Sequence, residues 1–205
     1  MSYFIAPTKE EILEFVRQSN AIEGIRVPEN HELFLDHVGA INAAIESLSR
    51  GFISLPRDIH GVLMRSQSDK CPGNYRSVGV RIGNIGTPTP GSVPGLMRDL
   101  IDVLATGISR GVHDESWIWN IHNEFEAIHP FMDGNGRVGR IWMNIIRLRI
   151  GFRWLTIQVK EKQEYYRRIN EFRRRSLPYK QYLPDIGNQL DVETICEEPK
   201  AADID

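Results

Sequence analysis

The chain has 205 residues, of which 41% are hydrophobic and 25% are charged, and its formal net charge at pH 7 is -2. This composition is ordinary for a globular domain with one substantial core. Because the charges nearly balance, no global cationic field draws the protein to nucleic acid or to an anionic membrane. We therefore expect no nucleic-acid partner and no membrane partner.

No feature of the sequence predicts export or membrane insertion. The N-terminal MSYFIAPTKE lacks a basic segment followed by a long apolar run, which is the pattern of a signal peptide. No apolar stretch approaches the roughly 20 residues that span a bilayer. The expectation is a soluble, cytoplasmic protein.

The first predicted helix begins at a capping box. In TKEE, the Thr8 hydroxyl can accept from a helix amide while Glu11 reaches back to the amide of Thr8. Gly24 is a suitable terminator, because glycine takes a positive φ without steric cost. Apolar periodicity then predicts a second helix from about His31 to Gly51, and PRDIHGVLMRS predicts a short third one.

Residues 75–90 follow a different pattern. From Val78 to Ile82, apolar residues alternate with glycine and arginine, which is the period of a half-exposed strand. The turn formers of GNIGTPTPGSVPG follow and exclude a regular helix. This segment predicts a small β-hairpin, which we call the flap.

Four further helices complete the predicted fold. They are expected from Val93 to Gly107 or Gly111, from Asp114 to His129, from the following Gly-Asn-Gly turn to Gly151, and from about Lys160 to Arg174. The fold class is all-α, a compact helical bundle with a small β-hairpin flap. Residues 1–183 are expected to form a single domain, and residues 184–205 an acidic C-terminal tail.

The stretch HPFMDGNGRVGR, residues 129–140, joins a helix end, a glycine-rich turn and a helix start. A helix N-terminus presents unpaired amides and the positive end of the helix dipole, so it attracts anions. Gly134 and Gly136 let the backbone approach a phosphate closely. Asn135 tolerates left-handed geometry and adds an amide donor.

Four side chains around this turn complete a predicted site. Arg137 and Arg140 lie one helical turn apart, and arginine grips phosphate oxygens bidentately. Asp133 stands beside the turn, where a carboxylate most often holds Mg²⁺. His129 has a pKa suited to proton abstraction near neutrality. Together they predict transfer of a phosphorus-centred group from a magnesium nucleotide to a hydroxyl.

Simpler interpretations of the turn fit the sequence less well. Gly-Asn-Gly alone is a common turn, and no Gly-Lys-Ser/Thr follows it, so it is not a P-loop. An EF-hand loop is excluded because Val138 stands where glycine is required and Asn144 where glutamate is required. The prediction depends on the conjunction of all the motif residues.

HPFMDGNGRVGR resembles the signature of the Fic family at every defining position, and IHNEFEAI, GNYRSVGVRIG and EYY extend the resemblance over about residues 10–175. The resemblance implies a protein adenylyltransferase that moves AMP from MgATP to a Ser, Thr or Tyr hydroxyl of a target protein or of itself. A phosphorylating branch has lysine at position 136, so glycine there argues against phosphorylation. The implied roles are general base for His129, Mg²⁺ ligand for Asp133, anion hole for Gly134, Asn135 and Gly136, and distal phosphate binding for Arg137 and Arg140.

SNAIEG, residues 19–24, carries a second signal. Ser19 and Glu23 lie on one helix face, and a glutamate near a helix C-terminus is most often simply solvated. It is slightly unfavourable with the helix dipole and gains from a cationic partner. The family has an autoinhibitory Ser/Thr-x-x-x-Glu-Gly/Asn helix, which implies that residues 8–24 are inhibitory and that Glu23 pairs with Arg140.

Other assignments are less specific. The resemblance suggests that Tyr165 and Tyr166 lie by the adenine, although helix packing explains them equally well. The arginines at 173–175 are interpreted as a solvated helix end rather than a nucleic-acid patch. In the flap, an added strand of the target protein is expected to bind through main-chain hydrogen bonds to Val80, Arg81, Ile82 and Gly83.

Two rival functions remain open at this level. In one, Glu23 positions a water molecule and the enzyme removes AMP from a modified target. In the other, the chain is a non-catalytic nucleotide-sensing or protein-docking module, although the intact motif weighs against it. Homo-oligomerisation is also left open by the sequence.

Overall fold

The computed structural model describes residues 4–82 and 85–176. The α-helices in these ranges are α1 (Lys9–Ile22), α2 (Glu32–Ser49), α3 (Pro56–Leu63), α4 (Val93–Ser109), α5 (Glu115–Ile128), α6 (Asn135–Arg149) and α7 (Lys162–Ser176). Short 3-10 helices cover Ser68–Lys70, Pro90–Ser92 and Val159–Glu161. The predicted all-α fold class is confirmed. The predicted acidic tail lies outside the described residues.

The flap is a shorter hairpin than the alternating pattern predicts. Strand β1 (Arg81–Ile82) pairs antiparallel with β2 (Ile85–Gly86), with Arg81 opposite Gly86. Val80 precedes the ladder, and its carbonyl accepts from the Thr87 hydroxyl at 2.6 Å. The predicted contact residue Gly83 lies outside the described residues.

Helix α6 lies at the centre of the bundle. It packs against α5, α3, α2 and α1, and α7 in turn packs against α5. Nearly every α6 residue is buried, as expected for a helix enclosed on all sides. Val138, Ile141 and Ile145 are fully buried, and each such side chain contributes about 1.5–3 kcal/mol. The core therefore holds the first turn of α6 in place.

Helix α1 is part of the same core. Its predicted capping box is present, with the Thr8 amide donating to Glu11 Oε2 at 2.7 Å and the Glu11 amide donating to Thr8 Oγ1 at 3.2 Å. Phe15, Val16 and Ile22 are at most 1% exposed, and α1 packs against α2 and α6. Undocking α1 would expose this apolar surface to water.

In the described parts of the chain, no helix combines the length and the apolar character needed to cross a bilayer.

The packing of α4 on α5 generates a stability prediction. A Cβ added at Gly107 would lie 2.2 Å from Trp117 Cζ2, whereas one at Gly95, in the same helix, would meet no atom within 4 Å. We expect Gly107→Ala to lower the free energy of unfolding by about 1–3 kcal/mol, because overpacking displaces neighbours. Gly95→Ala is the matched control and should raise it by up to about 1 kcal/mol. Urea unfolding followed by circular dichroism measures both, and equal effects would contradict the packing account.

Candidate active site

The predicted site lies in the turn between α5 and α6. His129 is the C-cap of α5 and has a φ of 52°. Pro130 disfavours the α conformation of His129, and a positive φ on a residue other than glycine indicates a local constraint. Gly134, the N-cap of α6, has a φ of 74°. His129 and Gly134 therefore adopt left-handed geometry, and Asn135 is the first residue of α6.

The Asn135 side chain closes this turn. Its Oδ1 accepts from the Phe131 amide at 2.9 Å, and its Nδ2 donates to the Phe131 carbonyl at 2.8 Å. The Phe131 ring is fully buried and stacks on His60, with the ring centroids 3.9 Å apart. Both polar atoms of the Asn135 side chain are therefore used within the turn. The contribution of the Asn135 amide to the anion hole stays a prediction.

One cavity opens at this turn. The N-cap of α6 makes no side-chain capping hydrogen bond, and the first amides of a helix have no partners within the helix. This end of α6 is consequently suited to an anion. The cavity is lined by Glu23, His129, Met132, Asp133, Gly134, Asn135, Gly136 and Arg137.

Arg137 is a buried cation with unused donors. It is 2% exposed, and among the described residues its Nε and Nη1 have no hydrogen-bond partner. Its Nη2 lies 3.7 Å from Met64 Sδ and 3.6 Å from Asp133 Oδ1. Burial lowers the pKa of Arg137. Such a group fits an anionic ligand, because phosphate oxygens would use the donors that the protein leaves free.

His129 is half-buried at the edge of the same cavity. Burial, followed by the positive charges of Arg173 and Arg76, lowers the pKa of its imidazole below the ordinary histidine value. The ring is therefore neutral at physiological pH. A neutral imidazole can accept a proton from a hydroxyl, as a general base must.

Asp133 presents a single carboxylate to the cavity. Its side chain is 47% exposed, and its Oδ1 accepts from the Gly134 amide at 2.5 Å. Within the described ranges, no group of three or more His, Cys, Asp or Glu residues could hold a metal ion. One exposed carboxylate fits Mg²⁺ bound together with phosphates and water, and it does not fit a cation held in an all-protein cage.

Arg140 contacts both residues that are predicted to be inhibitory, Ser19 in α1 and Glu23 at its C-cap. Its Nε donates to Ser19 Oγ at 2.9 Å, and its Nη2 donates to the Ser19 carbonyl at 3.1 Å and to Glu23 Oε1 at 2.7 Å. Arg140 is 1% exposed, whereas the Glu23 side chain is 28% exposed. The ion pair is thus buried on the arginine side and open toward the cavity on the carboxylate side.

The Glu23 carboxylate also lies against the first turn of α6. A Cβ added at Gly136 would stand 2.2 Å from Glu23 Oε1. Glu23 is the C-cap of α1, and it is followed by Gly24 with a φ of 77°. The carboxylate therefore occupies space beside the helix end that suits an external anion.

The two tyrosines of α7 occupy different positions. Tyr165 is buried, and its hydroxyl lies 2.9 Å from His122 Nε2 and 3.5 Å from Arg140 Nη1. Tyr166 lies beside Glu23, with its hydroxyl 3.5 Å from Oε2, and burial raises its pKa to about 12. Neither lines the cavity at the turn. An adenine contact for either residue stays a prediction.

The interpretation of Arg173 as solvated is wrong. Arg173 is 3% exposed, and its Nη2 donates to the Glu126 carbonyl at 2.7 Å. The packing of α7 on α5 turns this residue inward, whereas Arg174 and Arg175 are exposed. The sequence of α7 alone does not distinguish the buried arginine from its two neighbours.

Sequence reasoning missed two residues that support the site. Asn20 Oδ1 lies 2.9 Å from His37 Nδ1, and this buried pair links α1 to α2. Arg76, which precedes the paired strands of the flap, donates to the carbonyl of His129 at 2.8 Å. Asn20 lies inside the SNAIEG stretch and Arg76 inside GNYRSVGVRIG, but no periodicity or spacing connects either to its partner.

Part of the sequence matches a known protein family. Residues 53–146 match the model of the Fic/DOC family. A protein adenylyltransferase Fic from Drosophila willistoni is 33% identical over 94 residues, which are 46% of this chain and 19% of the relative. Another, from Nematostella vectensis, is 26% identical over 186 residues, which are 80% of this chain and 44% of the relative.

A solved structure extends the similarity to three dimensions. The crystal structure of a Fic family protein from Desulfovibrio desulfuricans G20 has a TM-score of 0.60 and 30% identity, over 82% of this chain and 58% of that one. The present chain spans less than half the length of the two curated relatives. The family match covers the flap, α5 and the turn, but not Glu23, which also lines the cavity. Residues 53–146 of the chain therefore form a Fic/DOC domain.

Proposed function

We propose that this chain is a protein adenylyltransferase that transfers AMP from MgATP to a Ser, Thr or Tyr hydroxyl of a target protein. The observation that carries the proposal is one cavity bounded by a neutral imidazole, an exposed carboxylate and an uncapped helix N-terminus. The unused donors of Arg137 support an anionic ligand there. The names of the curated relatives support the same reaction.

In the proposed reaction, the hydroxyl oxygen attacks the α-phosphorus of ATP. The bond from that phosphorus to the oxygen bridging the β-phosphate breaks, and pyrophosphate leaves. His129 accepts the hydroxyl proton. The amides at the start of α6 and the Arg137 guanidinium donate to phosphate oxygens as charge develops there. Mg²⁺, bound by Asp133 and the phosphates, would neutralise the charge of the leaving group.

We further propose that Glu23 inhibits the transfer. Arg140 lies one turn beyond Arg137 and is the natural partner of a distal phosphate, but its Nη2 already donates to Glu23 at 2.7 Å. A carboxylate and a phosphate cannot both use this guanidinium fully, and the two anions repel each other. ATP bound beside Glu23 would place its α-phosphorus badly, and a misplacement near 1 Å can cost roughly 10²-fold in rate.

The position of α1 supports relief through the Glu23 side chain alone. Beyond its apolar face, α1 is held by the Asn20–His37 contact and by Gln18, whose Oε1 accepts from the Val159 amide at 2.8 Å. The Glu23 carboxylate, in contrast, is partly exposed and follows the last helical residue. Rotation of one side chain frees Arg140 at lower cost than undocking a helix with a buried face.

The target is proposed to dock on the flap. Within the described residues the sheet has only the two strands β1 and β2, so each strand has an outer edge. An extended target segment can add to such an edge through main-chain hydrogen bonds. The segment would run past Val80, Arg81 and Ile82.

Removal of AMP is the second candidate function. Glu23 lines the same cavity as His129, so its carboxylate can orient a water molecule toward a bound AMP-hydroxyl ester. Incubating a modified target with Mg²⁺ and no ATP separates the two directions. Release of AMP by the wild-type chain, abolished in Glu23→Gly, would favour removal over transfer.

The role of His129 predicts a loss of rate without a loss of binding. His129→Ala should reduce AMP transfer by about 10²–10⁴-fold, the usual contribution of a general base. MgATP affinity should persist, because the imidazole is assigned to the hydroxyl. Incorporation of α-labelled AMP and calorimetric titration with MgATP measure the two effects. His113→Ala, at an exposed position, is the control, and a near-normal rate in His129→Ala would contradict the mechanism.

The role of Asp133 predicts a changed response to Mg²⁺. Asp133→Ala should need much more Mg²⁺ for half-maximal transfer, because the ion would lose its protein ligand. The measurement is transfer rate against Mg²⁺ concentration at fixed ATP. Asp102→Ala removes an exposed carboxylate from α4 and should leave the curve unchanged. Superimposable curves for Asp133→Ala and the wild type would refute the assignment.

The Glu23–Arg140 pair predicts a gain of function. Glu23→Gly should raise transfer, most visibly as auto-modification, by up to roughly 10²-fold if misplacement is the cause of inhibition. Combining it with Arg140→Ala should remove the gain, because the freed partner is then missing. Glu29→Gly is the matched control, since it removes an exposed carboxylate that pairs with Arg17.

Incorporation of α-labelled AMP measures all these variants. If Glu23→Gly is no faster than the wild type on any substrate, the inhibitory role of Glu23 is wrong. If no variant incorporates AMP at all, the non-catalytic docking module becomes the better account.

A further inference from the structure

Arg76 is a buried cation that bonds to main-chain carbonyls. It is 3% exposed, and burial lowers its pKa to about 10. Among the described residues no carboxylate forms an ion pair with it. Its Nε donates to the carbonyl of His129 (2.8 Å), its Nη1 to Val78 (3.0 Å), and its Nη2 to Pro88 (2.7 Å) and, at greater length, to Ile128 (3.4 Å).

These carbonyls belong to two separate parts of the fold. Ile128 and His129 form the C-terminal end of α5, where the last helical carbonyls lack partners within the helix. Val78 and Pro88 belong to the flap and stand before and after its paired strands. The guanidinium of Arg76 therefore ties the helix end that carries His129 to both sides of the base of the flap.

The hydrogen bond from Arg76 reaches a residue, His129, whose backbone conformation is unusual. Histidine at a φ of 52° is held there only when its surroundings enforce it. Fixing the His129 carbonyl fixes its peptide plane, and with it the direction in which the imidazole leaves the chain. Arginine suits this role because its guanidinium presents five donors in a rigid planar fork.

We propose that Arg76 is a positioning residue for the transfer reaction, holding His129 and the flap in one fixed relation. A hydroxyl presented by a segment bound to the flap then meets the imidazole at the correct place. This inference rests on the proposed function, because it needs His129 to act as the base. Such an arrangement is sensitive, since a displacement near 1 Å can cost roughly 10²-fold in rate.

The phosphate cradle is held by other contacts. The Asn135 side chain closes the turn on Phe131, and the core holds α6. The hydrogen bonds of the Arg76 guanidinium reach neither the turn residues 131–134 nor α6. Loss of the Arg76 guanidinium should consequently slow the chemical step without weakening MgATP binding. General misfolding would affect both the rate and the binding.

The test uses auto-modification in the Glu23→Gly chain, with α-labelled ATP as the substrate. Arg76→Lys keeps the positive charge, but its single ammonium cannot reach carbonyls on several sides. Arg76→Met removes the charge as well. We expect both to lower the maximal rate by roughly 10–10²-fold, with an unchanged MgATP concentration at half-maximal rate. Arg57→Lys is the control, because Arg57 is exposed and donates to the Gly73 carbonyl in the same loop without contacting His129.

Hydrogen–deuterium exchange supplies a readout that does not need activity. Arg76→Lys should speed exchange in residues 78–82, 85–87 and 128–129, while the α6 amides keep their protection. Faster exchange throughout α5 and α6, or failure of both variants to fold, would mean that Arg76 serves the fold in general and would overturn the proposal.

The activity outcomes separate this inference from the proposed function. No incorporation in the parent Glu23→Gly chain would defeat the proposed function and the inference together. If the parent Glu23→Gly chain incorporates AMP and both Arg76 variants keep its maximal rate, the inference alone fails. A raised half-saturating MgATP concentration with an unchanged maximal rate would also overturn it, because Arg76 would then act on nucleotide binding.

Discussion

The ion pair between Arg140 and Glu23 is the interaction on which the rest of the site depends. Arg140 is fully enclosed near the start of α6, and its Nη2 lies 2.7 Å from Glu23 Oε1. A buried guanidinium is costly unless acceptors satisfy it, and a carboxylate or a phosphate is a strong acceptor for Arg140. In this structure the carboxylate comes from the protein itself. Exchange of one anion for the other is the event that the proposed regulation requires.

The core supports this exchange by holding both partners on fixed helices. α6 is enclosed on all sides, and α1 buries Phe15, Val16 and Ile22 against its neighbours. Arg140 and the backbone that carries Glu23 thus have little freedom. Only the partly exposed Glu23 side chain can move readily. A fixed scaffold with one partly exposed carboxylate would let the proposed inhibition be relieved without opening the bundle.

Local chemistry made much of this fold predictable from sequence. The capping box at Thr8, the apolar periodicity and the end of α5 before Pro130 each depend on a few neighbouring residues, and each is present in the structure. The bond between the Asn135 side chain and Phe131 could not be predicted, because it depends on how the turn closes. Arg173 was misassigned because its burial depends on α7 docking against α5.

Contacts between distant parts of the chain were the least predictable. Arg76 and His129 are 53 residues apart, and Arg140 and Glu23 are 117 apart. The first contact had no sequence signal at all. The second was expected only through family resemblance, because i and i+4 spacing places Ser19 and Glu23 on one face without naming what that face meets. Local pattern sets the direction of a side chain along its helix, and tertiary packing decides its partner.

The most direct test of the central claim compares ATP with ADP as the AMP donor. Both would transfer AMP through the same bond, but only ATP has a γ-phosphate that competes with Glu23 for Arg140. The measurement is the rate of incorporation from α-labelled ATP and α-labelled ADP, in the wild type and in Glu23→Gly. The account predicts that the substitution accelerates transfer from ATP far more than transfer from ADP. Equal acceleration with both nucleotides would contradict competition for Arg140 as the basis of inhibition.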